Sequence, residues 1–442
     1  MKPSPASPSP VKAGELRVYA LVCFTVFLDL LGLGIIIPIQ PFYVESFGAS
    51  PSTVTMLGAA YALMQFLFVP VWGRLSDRVG RRPIILTSVA ASVVGWTLFG
   101  LAESLWLVFA ARMMSGFGNA NIATAQAALA DITTQQERAK AMGFVGASIG
   151  LGFILGPAAG GLLSQTEQWG PLLPIYAAAA LSLVNWILAL LFFPETLPPE
   201  KRSRESKSPA GFSLQRYRES KAWPGVPRLL VLMLVMATAS TIMEHSIGLW
   251  LERVWLWDGG VQPDPSKLPE VHRQAAILTA YVLLTFGIVT VIIQGGLVGH
   301  LVRRFGEVKL ILVGLLLIAS ALSAIPMCAG LGVASIFPVF GLMAIGSAIT
   351  DPSISSLLSR SVPDTDQGRA LGLGRSMASL GRVIGPSTAG FLLELRWGLP
   401  FGVAAALMLV ALLVALKLRR VRPTTPVEPN EPAKDHRPAH GD

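Results

Sequence analysis

The sequence predicts an all-α integral membrane protein in which twelve transmembrane helices form two parallel six-helix halves. Three observations predict this fold: an apolar composition, twelve stretches long enough to cross a bilayer, and a sequence repeat. Of the 442 residues, 52% are hydrophobic and only 14% are charged, whereas soluble domains carry about 25% charged residues. The composition excludes an ordinary soluble enzyme and indicates a polytopic membrane protein.

A helix needs about 20 apolar residues to cross a hydrocarbon core about 30 Å thick, and twelve stretches of the chain satisfy that requirement. They lie at 18–39, 53–72, 83–101, 105–128, 140–163, 171–193, 229–250, 275–298, 309–328, 332–358, 370–393 and 398–416. The predicted segments are therefore a cytoplasmic N-terminal segment (1–17), a first half (18–194), a cytoplasmic linker (195–228), a second half (229–417) and a disordered tail (418–442).

The two halves share short sequence matches in the same order. GRLSDRVGRRPIIL at 73–86 aligns with GHLVRRFGEVKLIL at 299–312, and the pair Gly156-Pro157 aligns with Gly385-Pro386. Because each half has an even number of spans, both copies have the same orientation in the membrane. This parallel repeat is typical of transporters whose substrate site lies between the halves.

The basic residues predict the orientation. If the N-terminus is cytoplasmic, 28 of the 35 lysines and arginines lie on the cytoplasmic side and four lie outside, while Arg112, Arg375 and Arg382 lie within spans. Cytoplasmic loops of membrane proteins carry this excess. The net charge of +9 is therefore explained by topology, and a nucleic-acid partner is not expected.

The region after the second span, 73–83, combines turn glycines, one carboxylate and four arginines. Asp77 can accept hydrogen bonds from a helix N-terminus or pair with an arginine, and we expect it to form a cytoplasmic gate that breaks when the halves move. The alternative is that the arginines only keep the loop inside. The predicted gate residues are Gly73, Asp77, Arg78, Gly80 and Arg81.

Two charges within the first half are candidates for proton coupling. Asp29 lies about 18 Å into the membrane from the inside, and Arg112 lies about 12 Å from the outside, at a rise of 1.5 Å per residue. In a core of about 30 Å these depths coincide. A carboxylate that alternately pairs with arginine and takes a proton would couple proton entry to substrate exit. The alternatives are a permanent salt bridge and a helix-packing contact.

Polar residues elsewhere at membrane depth are candidates for a substrate cavity. Glu244 and His245 fall in the outer third of the seventh span, where they either bind substrate and relay protons or reach water at the interface. Gln65 and Asn121 are predicted to line the cavity, whereas Gln126 and Asn185 are interpreted as contacts between helices. Arg382 requires a partner that the sequence does not identify.

Several segments resemble one protein family. YALMQFLFVPVWGRLSDRVGRRPI (61–84) resembles the loop signature of the major facilitator superfamily, and in particular its tetracycline/proton antiporters. FLDLLGLGIIIPIQP (27–41), the region from Arg112 to Gly118, ADITTQQERAKAMG (130–143) and FPET (193–196) are similar to other parts of the drug-efflux branch. In the second half, Arg303 stands where Asp77 would align, so the repeated loop lacks that acidic contact.

The fifth span resembles the signature of antiporters within this family. The resemblance implies that its small residues form a packing face that seals the centre against proton leak. The residues of this motif are Gly146, Gly150, Gly152, Gly156, Pro157, Gly160 and Gly161.

We therefore expect a proton-coupled transporter that exports a small amphipathic compound, either a drug or a tetracycline-like molecule, by alternating access. The alternatives are a proton-coupled importer of a nutrient or metabolite, and a membrane receptor or assembly subunit. Neither a phosphate-binding loop nor metal-ligand spacing is present in the sequence, so no enzyme activity, metal or cofactor is expected, and the proton gradient supplies the energy. The expected partners are a small-molecule substrate, protons and the bilayer of a bacterial inner membrane, with the protein as a monomer.

Overall fold

The computed structural model of the protein describes residues 13–166, 169–202, 223–257, 263–363 and 366–420, together with Tyr217 and Ser220. Helices account for nearly all of these residues, and no strand occurs among them. Most of the predicted N-terminal segment (1–17), linker (195–228) and tail (418–442) lies outside the described residues, so these segment boundaries remain predictions.

The first half contains six long helices, numbered here in chain order. They are α1 (Ala13–Ile36), α2 (Pro51–Val79), α3 (Arg81–Gly100), α4 (Leu105–Gly118, Asn119–Asn121 and Ile122–Asp131), α5 (Gln135–Leu163) and α6 (Leu172–Phe192). A short linking helix, Gln40–Glu45, connects α1 to α2. The middle turn of α4 is a 3-10 helix, so the polar residues Asn119 and Asn121 interrupt that helix at membrane depth.

The second half repeats this arrangement with six more helices. They are α7 (Val226–Leu251), α8 (Leu268–Ile292, Ile293–Leu297 and Val298–Phe305), α9 (Glu307–Ala324), α10 (Ile336–Arg360), α11 (Gln367–Leu395) and α12 (Leu399–Leu416). A π-helical turn, Glu252–Leu256, extends α7. Ten helices of the described chain are long and apolar enough by themselves to cross a membrane; the interrupted α4 and the arginine-bearing α11 complete the twelve.

Several helices extend beyond their apolar stretches. The second span was predicted at 53–72, but α2 continues to Val79, so Gly73, Asp77 and Arg78 lie on its last turns and not in a loop. Only Gly80 separates α2 from α3, and its φ of +118° is one that residues with a side chain rarely adopt. Hydropathy marks the part of a helix inside hydrocarbon, whereas the hydrogen-bonded helix continues into the interface.

The two halves repeat the same turns and helix contacts. Gly306 separates α8 from α9 with a φ of +78°, as Gly80 separates α2 from α3. Gly156 of α5 lies against the backbone of Gly34 in α1, and its counterpart Gly385 of α11 lies against Thr241 in α7. The sequence matches between the halves therefore correspond to matching turns and helix contacts.

The described contacts between the halves concentrate at one end of the molecule. We call this end the far face, because it lies opposite the terminus face, where α1 begins and α12 ends. At the far face, Gly390 of α11 packs against Ser52 of α2, and Gly161 of α5 packs against Ala280 of α8. Toward the terminus face, by contrast, several glycines of α5 and α8 have open space where a β-carbon would stand, with no atom of another described helix within 4 Å. They are Gly143, Gly146, Gly150, Gly295, Gly296 and Gly299.

Candidate functional site

A cavity lies between the halves at the centre of the molecule. It has a chamber of about 320 Å³ toward the far face and one of about 570 Å³ toward the terminus face. The chambers are continuous because they share lining residues from both halves: Gln65, Asn119, Ile122, Ile149, Thr241, Glu244 and Arg382. The chamber toward the far face has mainly apolar walls, whereas the chamber toward the terminus face is also lined by charged side chains such as Asp351 and Arg375.

Asp29 lies behind the wall of this cavity, in the interior of the first half, where only 4% of its surface is exposed. Asn121 of α4 donates a hydrogen bond to one carboxylate oxygen (Nδ2···Oδ2 3.1 Å), and Asn185 of α6 donates to the other (Nδ2···Oδ1 2.9 Å). The Asn185 amide also donates to the backbone carbonyl of Thr25. Three helices therefore hold this carboxylate in a fixed position.

Arg112 is equally buried but makes no salt bridge within 4 Å in the described part of the chain. Its guanidinium carbon lies 4.8 Å from the centre of the Tyr61 ring and 5.5 Å from that of Trp96, where the electron-rich ring faces attract a cation. The predicted Asp29–Arg112 ion pair is therefore wrong for this conformation. Both oxygens of Asp29 are engaged by asparagine amides, while Arg112 lies on aromatic rings at the chamber wall.

The structure places the other predicted cavity residues as follows. Gln65, Glu244 and His245 line the cavity, and the ring of His245 lies against Gly58 of α2. Asn121 does not line it, because its amide is buried against Asp29; the asparagine exposed to the cavity is Asn119. The prediction for Asn121 is therefore wrong, because apolar length and depth do not indicate which side of α4 faces the cavity.

The chamber near the terminus face carries charges from the second half. Asp351 of α10 and Arg382 of α11 both line it, and they attract each other electrostatically. Arg382 therefore has an acidic neighbour that the sequence did not identify. Arg375 of α11 donates a hydrogen bond to Gln126 of α4 across the chamber (Nη1···Oε1 2.9 Å). Gln126, interpreted as a contact between helices, thus joins the two halves.

The predicted gate residues lie together at the terminus face. Arg81 is buried and bridges two carboxylates, with Nη1 2.6 Å from Asp77 Oδ1 and Nε 2.9 Å from Asp131 Oδ2. Asp77 therefore pairs with an arginine, while the backbone N–H of Arg81 at the start of α3 donates to Glu195. Arg78 is exposed to solvent. The Gly80 turn allows this arrangement, since a β-carbon there would lie 2.2 Å from Glu195 Oε2.

The glycines of α5 form a packing face along part of the helix. At Gly152, Gly156 and Gly160 a β-carbon would lie 2.7, 2.6 and 2.1 Å from atoms of α1, and at Gly161 it would lie 2.5 Å from Ala280 of α8. Gly146 and Gly150 have open space instead, so their assignment to the packing face is wrong in this conformation. These two glycines lie where α5 and α8 separate toward the terminus face.

A charged cluster connects the halves at the far face. We call it the far-face cluster; it consists of Glu45 on the linking helix, Glu252 and Arg253 after α7, and His272 on α8. Arg253 pairs with both glutamates, and the side chain of Glu252 is fully buried. Burial and repulsion from Glu252 raise the pKa of Glu45 to about 7, against the opposing effect of Arg253. This cluster thus joins the first half to the second.

Comparison with known proteins agrees with this architecture. The family model described as Major Facilitator Superfamily matches residues 22–254 and 270–441. The chain belongs to the major facilitator superfamily. It is 32% identical over 395 residues to the tetracycline resistance protein, class C, of Escherichia coli, covering 88% of this chain and 93% of that protein. It is also 29% identical to multidrug resistance protein 2 of Bacillus subtilis (strain 168), covering 90% and 94%.

Solved structures of the superfamily share its fold. The human organic anion transporter MFSD10 superimposes with a TM-score of 0.65 at 21% identity, covering 91% of this chain and 99% of that one. An inward-facing, occupied bacterial homologue of the human lysosomal transporter Spinster gives a TM-score of 0.70 at 16% identity, with coverages of 94% and 98%. The protein is therefore a multi-pass membrane transporter of this superfamily.

Sequence reasoning missed several residues of the gate and the whole far-face cluster. Asp131 and Glu195 each follow the end of a predicted span at the terminus face by a few residues. That position could have indicated both as partners for the arginines of the gate. In the sequence, Glu45 lies more than 200 residues before Glu252 and His272. Only the packing of the linking helix on α7 and α8 brings these residues together, so their spacing in the sequence could not predict the cluster.

Proposed function

We propose that this major facilitator protein exports a small amphipathic compound in exchange for protons. The observation that carries the proposal is the buried carboxylate of Asp29, held by Asn121 and Asn185 beside a central cavity between the two halves. A charge at membrane depth is costly and is retained mainly for function. The tetracycline and multidrug resistance names of the relatives support export of a drug-like substrate.

The conformation supports a direction for loading. The basic charge of the sequence favours a cytoplasmic terminus face, and the halves are in contact at the opposite, far face. The cavity in this state then receives substrate from the cytoplasmic side. Movement of the halves as rigid bodies would close the terminus face and open the far face.

The proposed coupling uses two buried charges of the first half, Asp29 behind the cavity wall and Arg112 at the chamber wall. Asp29 exchanges a proton, and Arg112 lies at the chamber wall on Tyr61 and Trp96, with no carboxylate of the described residues within 4 Å. A cation in this position is free to attract substrate or to respond when the charge of Asp29 changes. Glu244 adds a negative charge to the same chamber, so the wall offers both signs of charge to an amphipathic molecule.

The test is transport by the purified protein in liposomes under an imposed pH gradient. Tetracycline and unrelated cationic dyes serve as substrates, and a protonophore serves to collapse the gradient. Asp29→Asn removes the titrating group and keeps the size of the side chain, and its one carbonyl oxygen can still accept from Asn121 or Asn185. We expect gradient-driven accumulation to fall at least tenfold. Asp264→Asn is the matched control, since that carboxylate is exposed at the far face.

Two outcomes would overturn the proposal. Full gradient-driven transport by Asp29→Asn would remove this residue from coupling. Movement of substrate in the same direction as protons would assign the protein to the importers of the same fold.

A further inference from the structure

The far-face cluster contains three potential metal ligands that come from both halves. Glu45 belongs to the first half, whereas Glu252 and His272 belong to the second. One ligand atom from each residue, two carboxylate oxygens and Nε2 of the imidazole, lies within 4.8 Å of the other two. The side chains are largely shielded from solvent, with 8%, 0% and 19% of their surface exposed, respectively.

The spacing of these atoms is unlike that of hydrogen bonds. His272 Nε2 lies 3.4 Å from Glu252 Oε1 and 3.8 Å from Glu45 Oε2, beyond the usual range of about 2.7–3.2 Å. In a tetrahedral zinc site, with nitrogen and oxygen ligands about 2.0–2.2 Å from the metal, neighbouring ligand atoms stand roughly 3.3–3.6 Å apart. The two distances from His272 Nε2 are therefore close to this spacing, and the ligand atoms of the three residues all lie within 4.8 Å of one another.

The remaining contacts of the cluster orient the ligands. Arg253 pairs with Glu252 Oε2 and with Glu45 Oε1, and it makes a longer hydrogen bond of 3.4 Å to Glu45 Oε2. Trp257 donates its indole N–H to Glu252 Oε1 (3.2 Å), which retains a second lone pair. The His272 ring stacks on Phe42, with the ring centres 5.6 Å apart. Such second partners fix the geometry of metal ligands. The single guanidinium of Arg253 balances only one of the two carboxylate charges, so a net negative charge remains.

A route from solvent reaches the cluster. A cavity of about 460 Å³ at the far face lies between the halves, and His272 is one of its lining residues together with Phe42, Ser46 and Glu270. The cavity therefore gives an ion access to the side chain of His272, beside which Glu45 and Glu252 lie. This cavity is separate from the central chambers, with which it shares none of its lining residues.

We propose that Glu45, Glu252 and His272 bind a divalent transition-metal ion of the zinc class, which fastens the two halves together at the far face. One nitrogen and two oxygen ligands suit Zn²⁺, whereas Mg²⁺ and Ca²⁺ prefer six or more oxygens. Because the ligands come from both halves, the ion binds the conformation in which the far face is closed. Bound metal thus inhibits the transport cycle by stabilising one of its states.

The first experiment measures Zn²⁺ binding to the full-length protein in detergent, by competition with a chromophoric chelator and without substrate or pH gradient. We expect one site that His272→Ala and Glu45→Gln each weaken at least tenfold, while Mg²⁺ and Ca²⁺ do not compete. His300→Ala is the matched control, since His300 is exposed near the terminus face. The double variant His436→Ala/His440→Ala removes the histidines of the tail as competing ligands.

The melting temperature distinguishes a lost site from a misfolded variant. Without metal, His272→Ala should still unfold in one cooperative transition, at a lower temperature because the ring that stacks on Phe42 is lost. Added Zn²⁺ should raise the melting temperature of the wild type but not of this variant. Equal affinity in wild type, His272→Ala and Glu45→Gln, or the absence of one-site binding, would overturn the proposal. The binding measurement requires no transport, so it fails or succeeds independently of the proposed export.

Discussion

Asn185 of α6 donates a hydrogen bond to Asp29 of α1 across 2.9 Å, which makes this asparagine part of the environment of the proposed coupling carboxylate. Together with Asn121 it provides both oxygens with a neutral donor. Neutral amides stabilise a buried carboxylate without tying it to a permanent positive charge. The carboxylate can then change its protonation without breaking an ion pair.

Asn185→Ala should lower stability and slow transport. The change leaves one oxygen of a buried carboxylate without its donor, at a cost of about 1–3 kcal/mol. The melting temperature in detergent and the initial rate in liposomes measure the two effects. Gln274→Ala is the control, because this exposed amide donates to Glu270 at the start of α8; a melting temperature for Asn185→Ala equal to that of the control would contradict the expectation.

Gly160→Ala should be far more damaging than Gly146→Ala. A β-carbon at Gly160 would lie 2.1 Å from the backbone oxygen of Ile35, so α1 and α5 would have to separate, whereas Gly146 has open space. Both changes add one methyl group within the same helix, which makes them a matched pair. We expect folded yield and melting temperature to fall for Gly160→Ala only, and equal losses would refute the assigned packing face.

Arg81→Ala should destabilise the terminus face, whereas Arg78→Ala should change stability by no more than about 0.5 kcal/mol. Arg81 is buried, while its partners Asp77 and Asp131 have side chains that are 17% and 22% exposed. Its loss should therefore cost less than the roughly 3 kcal/mol of a fully buried ion pair. Arg78 lies three residues away and is exposed. Limited proteolysis around residue 80 and thermal unfolding test the difference, and indistinguishable variants would be inconsistent with it.

Arg112→Lys should reduce export although it keeps the charge. The planar guanidinium lies on Tyr61 and Trp96, and an ammonium group on a flexible stem does not reproduce that placement. A loss of about 1–2 kcal/mol of cation–π attraction corresponds to a fall of roughly five- to thirtyfold in the transport rate. Arg74→Lys, on the exposed surface of α2, is the control; wild-type kinetics in Arg112→Lys would exclude a role for the stacked geometry.

The sequence predicted the helical architecture well because the membrane imposes a simple rule. Apolar length alone located the spans, and the aligned turns at Gly80 and Gly306 correctly indicated a repeat. The same rule missed helix ends, as at Val79, since a helix extends past the hydrocarbon. The estimated depths placed Asp29 and Arg112 at the same level of the membrane. A depth does not indicate which direction a side chain faces.

Side-chain partners could not be read from the chain because they depend on helix rotation and on contacts between distant segments. Asn121 of α4 faces Asp29 inside the first half, while Asn119, two residues before it, faces the cavity. Asp131 and Glu195 come to Arg81 from the ends of α4 and α6. Local patterns therefore predict where charges lie relative to the membrane, while pairing requires the packed structure.

The contact between Gly161 and Ala280 has a mechanical consequence. α5 packs closely on α1 at Gly152, Gly156 and Gly160. We therefore expect the two helices to tilt together about their ends at the far face. From Gly161 to the first residue of α5 the helix is about 39 Å long at 1.5 Å per residue. A rotation of roughly 10° about the Gly161–Ala280 contact moves the opposite end of α5 by about 7 Å, at a helix rise of 1.5 Å per residue. This displacement is enough to admit or release a small molecule, while the contact itself hardly moves.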